Sequence, residues 1–491
     1  MVMSTHPPDT LHNTYTPEWV RDAVFYQVFP DRFAKSARVR KAANLETWES
    51  DPTVHGYKGG DLLGVVEHLD HLQDLGITAL YFNPVFQSAS NHRYHTHDYY
   101  QVDPMLGGNA ALRELVDACH ERGMKIVLDG VFNHSSRGFF QFNDILENGP
   151  HSAYLNWFNI RQLPLKAYSG EDGDRLGYDA WWGLPALPKF NTDTPAVRDF
   201  LWDIGTYWLE FGIDGWRLDV PNEIADDAFW REFRRRCREV NPECYIVGEI
   251  WDDASRWLRG DQFDAVMNYP FTRAAFGFTA GSLNEAEIAR CGYQHIPKLD
   301  ATSFAAAVEG LLHAHRPEVT EVQLNLLGSH DTPRALTVVN GDEAAYRMAL
   351  LFQMTFPGAP CLYYGDELGL EGGHDPECRQ GMPWDNRKSW NEGLLGFTKT
   401  LIQLRLEHPT LRRGAFETLH VSEDLYVYTK RLEDELFVGF LDVGSDVKVT
   451  QLALPDGTYR DLLSDGTFTV QEETLDVDLS ARSGALFQKL G

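Results

Sequence analysis

Short apolar runs alternate with longer amphipathic stretches along most of the chain, the alternation of a βα series. Eight runs stand out: Ala23–Phe29, Ile77–Val85, Lys125–Phe132, Ile213–Val220, Cys244–Ile250, Asp264–Phe271, Val322–His330 and Ala359–Glu367. Between them, Gly64–Gly76, Ala111–Gly123 and Ala196–Gly212 carry apolar residues at helical spacing and close on glycine, as helices commonly do. Eight such units predict an α/β fold, a (β/α)8 barrel of parallel strands. After the third run, residues 135–191 hold many aromatics, Gly and Pro with weak helical periodicity. They predict a loop-rich insertion that overhangs the carboxyl face of the barrel as one wall of a cleft. From about Arg413 the texture becomes β-formers broken by turn signals such as PDG and SDG, predicting a small antiparallel β-sandwich. The predicted partition is therefore 1–134 and 192–410 for the barrel, 135–191 for the insertion and 411–491 for the sandwich.

Composition narrows the partners. With 72 acidic against 44 basic residues the 491-residue chain carries a formal charge of −28, which argues against nucleic acid or an anionic membrane surface and favours a neutral substrate. No run is long enough to span a bilayer, and the first twenty residues lack a basic segment followed by an apolar one, so a cytoplasmic protein without a secretory leader is expected. Cys119, Cys237, Cys244, Cys291, Cys361 and Cys378 are scattered without metal-type spacing and are expected to be reduced thiols.

Four of the strand-like segments deliver carboxylates at or near their ends: DGVFNH at Asp129–His134, GWRLDV at Gly215–Val220, VGEIW at Val247–Trp251 and GSHD at Gly328–Asp331. Strand ends on the carboxyl face are where barrel enzymes do chemistry. Arg217 and Asp219 lie two apart and so share a strand face, where the guanidinium is expected to hold the carboxylate ionised. Glu249, flanked by Ile250 and Trp251, is expected in a more apolar setting that raises its pKa and suits a general acid. Taken singly, an Asp beside an Arg is an ordinary buried ion pair and a Glu at a strand end an ordinary cap. Gathered with Asn133, His134 and His330 on one face, Asp219, Glu249 and Asp331 are the equipment for cleaving a glycosidic bond, with the first two carboxyls about 5–5.5 Å apart for a retaining reaction.

These segments resemble the α-amylase family of retaining glycoside hydrolases, from VFYQVFPDRF at Val24–Phe33 to GDELGL at Gly365–Leu370. Within it, LPKFN at Leu187–Asn191, the pair Trp181–Trp182, NHRYHTHDY at Asn91–Tyr99 and VPNE at Val220–Glu223 are similar to the neopullulanase, cyclomaltodextrinase and maltogenic amylase subgroup. The resemblance implies Asp219 as nucleophile, Glu249 as acid and base, and Asp331 as stabiliser of the distorted sugar, with Arg217 orienting Asp219. It further implies that His134 and His330 bind sugar hydroxyls, that Tyr94 stacks on the sugar, that Asn133 and Arg334, with Asp129, support the rim, and that Glu223 influences linkage choice and transfer. Pyranose faces bury well on flat side chains, which makes Trp181, Trp182, Trp251 and Phe190 candidate platforms. The implied substrates are α-glucan oligosaccharides cut at α-1,4 bonds, with transglycosylation as a side activity. The alternatives are a glucanotransferase or trehalose-forming isomerase, and a non-catalytic α-glucan-binding protein.

Two departures from the subgroup stand out. Its usual amino-terminal β-domain, which swaps across a dimer, has no counterpart before Ala23, so a monomer or a non-swapped dimer is expected. Many relatives bind Ca²⁺ in the loop after the first strand, but here that loop, Ala34–Asn44, carries four basic residues. Hard cations need oxygen ligands, so no metal or other cofactor is expected, with Asp61 a remnant lacking visible partners.

Overall fold

The structure, a computed structural model, describes residues 15–168, 170, 173–444, 448–464, 466–472, 474–479 and 481–490. The first fourteen residues, on which most of the leader reading rests, and Asp465 of the SDG turn signal lie outside them.

Eight parallel strands form one sheet: β1 (Phe25–Val28), β2 (Ala79–Phe82), β3 (Lys125–Gly130), β4 (Gly215–Leu218), β5 (Tyr245–Gly248), β6 (Ala265–Val266), β7 (Leu324–Leu326) and β8 (Ala359–Tyr363). Their order is β6-β5-β4-β3-β2-β1-β8-β7, and a parallel bridge between Met267 and Leu324 joins the two edges into a barrel. Every residue of β1, β2, β4 and β5 is buried, which is why these segments read as unbroken apolar runs. Register sets Asp129 opposite Arg217, and Arg217 opposite Val247.

Each strand is shorter than its apolar run, because the residues beyond it turn outward as rim. Asp219 and Glu249 are the first residues past β4 and β5. The predicted strand Asp264–Phe271 departs most: it stops at Val266, the Asn268 side chain accepts the Phe271 N–H, and Pro270 enters the first turn of the helix Tyr269–Thr279. The helix expected over Gly64–Gly76 is broken at His68 into Leu62–Glu67 and Leu69–Leu75. Gly76 and Gly212 close their helices at φ 91° and 117°, a conformation costly for any side chain.

Two excursions overlie the carboxyl face. An antiparallel hairpin, Phe86–Ser88 with Thr96–Val102, was not expected from the pattern and carries Tyr94 in its turn. Within 135–191 a helix forms at Phe140–Asn148, and isolated bridges tie Phe158 to Phe190 and His134 to Lys189. Phe142, Phe158, Tyr178 and Phe190 form a buried core there, so Phe190 packs against Phe158 rather than serving as a sugar platform.

The carboxy-terminal region forms a six-stranded antiparallel sheet in the order Ala415–Val421, Leu425–Leu432, Glu435–Asp442, Ser483–Lys489, Gly457–Asp461 and Thr467–Val470. A separate hairpin pairs Lys448–Ala453 with Thr474–Leu479. Period two divides the sheet: Leu425, Val427 and Val438 join Leu452 in a local core, whereas Tyr426 and Tyr428 face the barrel helices. There the Tyr428 hydroxyl meets Thr355 Oγ1 at 2.6 Å.

On β4, Trp216 alternates with Arg217 and points outward, fully buried, its Nε1 donating to Gly205 O at 3.1 Å. Trp216→Ala is expected to cost about 3–5 kcal/mol, read as a lowered midpoint of thermal unfolding. A midpoint within 1 °C of wild type (about 1 °C resolves such a loss) contradicts this packing.

Candidate active site

Arg217 is completely buried at the centre of the carboxyl face. Its Nη1 donates to Asp129 Oδ1 at 3.0 Å, Asp129 Oδ2 at 2.9 Å and Asp219 Oδ1 at 3.2 Å. Its Nη2 stands 3.0 Å from Glu249 Oε2 as an ion pair whose angle does not make a hydrogen bond. The guanidinium thus serves three carboxylates, where the sequence pattern pairs it with Asp219 alone. Asp129 is its closest partner, further held by the hydroxyls of Tyr81 and Tyr94, each 2.9 Å from Oδ2.

Glu249 does not sit in the apolar setting expected of it. Trp251 Nε1 donates to its Oε1 at 3.0 Å and the Val220 N–H to its Oε2 at 3.2 Å. Val220 holds φ 35°, a left-handed conformation unfavourable for a β-branched residue, and this strain turns the amide that follows Asp219 toward Glu249. Trp251 is committed to this arrangement: its ring stacks on Tyr269 at 3.6 Å, and Gly292 approaches so closely that a Cβ there would lie 2.8 Å from three ring atoms. The ring therefore holds Glu249 and does not present an open face to sugar.

Asp331 completes the cluster from beyond β7. Its Oδ1 accepts from Arg379 Nη2 at 3.3 Å, and its Oδ2 lies 3.0 Å from His330 Nε2. Gln27 donates to His330 Nδ1 at 2.9 Å, which places the ring proton on Nε2, facing Asp331. Tyr94 stacks on His330 at 5.5 Å, its hydroxyl 2.7 Å from Nε2. Burial holds His330 far below the usual imidazole range, so the ring is neutral.

Electrostatics follow from four carboxylates facing two guanidiniums. Burial pushes Asp219 well up, the charge of Glu249 adds to this, and Arg217 opposes it. The expectation that Arg217 alone keeps Asp219 low is thus corrected: desolvation and a second carboxylate outweigh a shared cation. Burial and Glu249 likewise push Asp331 to about 7, against Arg379. A cluster with excess negative charge retains a proton at neutral pH.

A stacked column rises from the floor: His134 on Trp181 at 5.5 Å, and Trp181 on Trp182 at 4.5 Å. Trp182 is 81% exposed at its tip. His134 Nδ1 meets Asn133 Nδ2 at 3.2 Å, its buried Nε2 has no protein partner, and burial lowers its pKa to about 3. Glu223 pairs with Lys189 at 2.8 Å, at the junction of insertion and barrel. Arg334 stands apart from the carboxylates, bonded to Tyr364 O at 2.7 Å and Asp366 Oδ1 at 2.9 Å, where it pins the segment after β8. Sequence reasoning missed Tyr81, Gln27 and Arg379. Tyr81 and Gln27 are legible in principle, as alternate positions of β2 and β1, whereas Arg379 arrives from an irregular segment with no period to betray it.

The loop after β1 does not fit a divalent cation. Asp61 Oδ1 accepts the Gly64 N–H at 2.7 Å, Oδ2 accepts the Ser36 N–H at 2.8 Å, and the Lys41 ammonium lies against Oδ2. The remnant carboxylate is fully engaged and already neutralised. Among the described residues, no group of three or more His, Cys, Asp or Glu is placed to hold a metal.

A parallel barrel whose carboxyl face gathers acidic side chains around a buried guanidinium, beneath aromatic walls, defines a carbohydrate-cleaving barrel enzyme. The description "Alpha amylase, catalytic domain" matches residues 27–432, and "Bacterial Alpha amylase C-terminal domain" matches 418–481. The chain is 44% identical to a cyclomaltodextrinase of Geobacillus thermopakistaniensis over 94% of its length and 76% of the relative's. It is 42% identical to neopullulanase 2 of Thermoactinomyces vulgaris, over 91% of this chain and 74% of that one. A crystal structure of a debranching enzyme from Nostoc punctiforme superposes with a TM-score of 0.88 at 47% identity, covering 97% of this chain and 100% of that one. The chain belongs to the α-amylase family, and it is a glycoside hydrolase of that family.

The raised pKa of Asp331 carries a signed consequence. Its folded-state value, about 7, lies above the ordinary 3.8, so ionising it opposes folding. That opposition is full above pH 7 and gone below about pH 4. Asp331→Asn is therefore expected to raise the unfolding midpoint at pH 8, with a gain that shrinks toward pH 4. A variant less stable than wild type at pH 8 contradicts the electrostatic account.

Proposed function

We propose that this enzyme hydrolyses α-1,4-glucosidic bonds of maltooligosaccharides and of cyclic or branched α-glucans with retention, through a covalent glucosyl-enzyme intermediate. The observation that carries the reading is the guanidinium of Arg217, which brings Asp219 and Glu249 to one side of the cleft floor. Two carboxyls on one such cation are close enough to act on one glycosidic bond, one as nucleophile and the other as acid and base. An Asp219 oxygen attacks the anomeric carbon as the glycosidic bond breaks, and the departing oxygen takes the proton that Glu249 delivers. Water then gives its proton back to Glu249 and its oxygen to the anomeric carbon, freeing Asp219.

Asp331 meets positive charge developing on the distorted ring and hydroxyls of the same sugar, while His330 and the unpartnered Nε2 of His134 supply neutral hydrogen-bonding groups. Tyr94, held by Asp129 and His330, offers a flat wall, and Trp181–Trp182 a second one farther out. Asn133 and Asp129 act by holding these groups in place, and Arg334 by pinning the segment after β8. Glu223, on the Lys189 junction, favours transfer to a sugar acceptor when the acceptor's hydroxyl outcompetes water. The reaction so drawn uses no metal.

Glu249→Gln is expected to lower kcat on maltotetraose by about 10²–10⁴-fold while binding persists; equal activity rejects the assignment. Chromatography of products from maltotriose separates hydrolysis from transfer, because longer sugars or trehalose as the main product overturn the hydrolytic reading. Dialysis against EDTA is expected to leave both kcat and the unfolding midpoint unchanged, and a drop in the midpoint reversed by Ca²⁺ overturns the metal-free reading.

A further inference from the structure

The barrel is weakest at the seam between β6 and β7. β6 has two residues, and the strands meet through the Met267–Leu324 bridge and the Asn268 N–H to Leu324 O at 2.8 Å. Beside that bridge a side chain replaces the missing ladder bond: Gln323 Oε1 accepts the Val266 N–H at 3.1 Å. This use of Oε1 leaves Gln323 Nε2 buried with no protein partner, and Thr320 Oγ1 is in the same condition. The two residues are 4% and 6% exposed, and both line a cavity of about 260 Å³ that opens between Asp252–Ala254 and the end of the helix Ala301–His313.

We propose that this cavity is a binding site for one small neutral polyhydroxylated molecule, of the size of a single hexose. The volume equals that of roughly nine waters at about 30 Å³ each, enough for a six-carbon sugar. Val266, Pro270, Leu311 and Phe356 give an apolar floor, and Gln323, Thr320, Asn268 and His315 are the uncharged polar groups that would orient a ligand, burial holding the His315 imidazole below its usual range. Charge selects the class. Asp252 and Asp253 at the mouth repel anions, and Asp252 is already paired with Arg273 at 2.7 Å while Asp253 accepts the Ser255 N–H at 2.9 Å, which leaves little for a cation. Hydroxyls suit what remains: acceptors for the Gln323 amide, donors for the carboxylates, and either role for Thr320.

The site lies behind the acid/base segment. Asp252 and Asp253 follow Trp251, whose indole holds Glu249, and Asn268 begins the helix whose first residue, Tyr269, stacks on that indole. An occupant thus touches the segment that follows Trp251 and the residue that precedes Tyr269. The binding itself does not depend on the role proposed for Glu249; only an effect on turnover rests on that reading.

The test is the unfolding midpoint of the full chain with its cleft saturated by acarbose, titrated with D-glucose in one arm and sorbitol in the other. A rise of about 1–2 °C at ten times the dissociation constant, growing with the logarithm of ligand concentration, is expected in at least one arm, and its absence is expected in the Thr320→Val/Gln323→Leu double variant. A rise with glucose alone assigns the site to a ring sugar, and a rise with both assigns it to polyols generally. Should the double variant not fold, Ala314→Phe at the exposed mouth is expected to block the rise while leaving hydrolysis of maltotetraose within twofold, about 0.4 kcal/mol. No rise in wild type, or the same rise in the variant that folds, means the cavity holds solvent only and overturns the proposal.

Discussion

The buried guanidinium of Arg217 is the constraint on which the rest of the active site depends. An unpaired cation at complete burial costs several kcal/mol, a large share of a domain's net stability, and Asp129 meets it on the neighbouring strand. That pairing fixes the relation of β3 to β4, whose register sets the two residues opposite each other. The remaining guanidinium hydrogens then face outward, where the chain delivers Asp219 and Glu249 one residue beyond β4 and β5. Because Asp129 takes the best geometry, the other two carboxylates are held less tightly, Asp219 through one oxygen and Glu249 as an ion pair alone. The cost appears as the raised pKa of Asp219 and Asp331 and the strained backbone of Val220. Such stored instability belongs at a site built for reaction rather than stability.

Much of the fold was legible because a barrel strand buried on both faces leaves an apolar run that needs no partner to be recognised. Each run marks a strand, and the glycines at Gly76 and Gly212 end their helices as the pattern requires. The failures have local causes. Val266 ends β6 early because Asn268 and Pro270 start a helix inside an apolar run, and apolarity alone does not distinguish the two states. His68 breaks a helix whose hydrophobic spacing continues across it.

For the site, period two places Arg217 with Asp219, and the strand-end motifs bring Asp129, His134, Glu249, His330 and Asp331 to one face. Orientation was beyond that logic. Whether Trp251 offers a ring face or an N–H is decided by Tyr269 and Gly292, which are distant in sequence. Whether Arg217 serves one carboxylate or three is decided by registers between strands, not along one. The pKa directions follow from burial and mutual repulsion within the assembled cluster, which no single segment contains.

The central claim is that Asp219 forms a covalent bond to the sugar while Arg217 gathers the carboxylates around it. The most direct measurement is intact-mass and peptide mapping of Glu249→Gln after mixing with α-maltotriosyl fluoride, whose leaving group needs no acid. The account predicts release of fluoride with a maltotriosyl ester on the peptide that contains Asp219, accumulating because the base that activates water is gone. Release of fluoride with no adduct, and a product of β configuration, contradicts it.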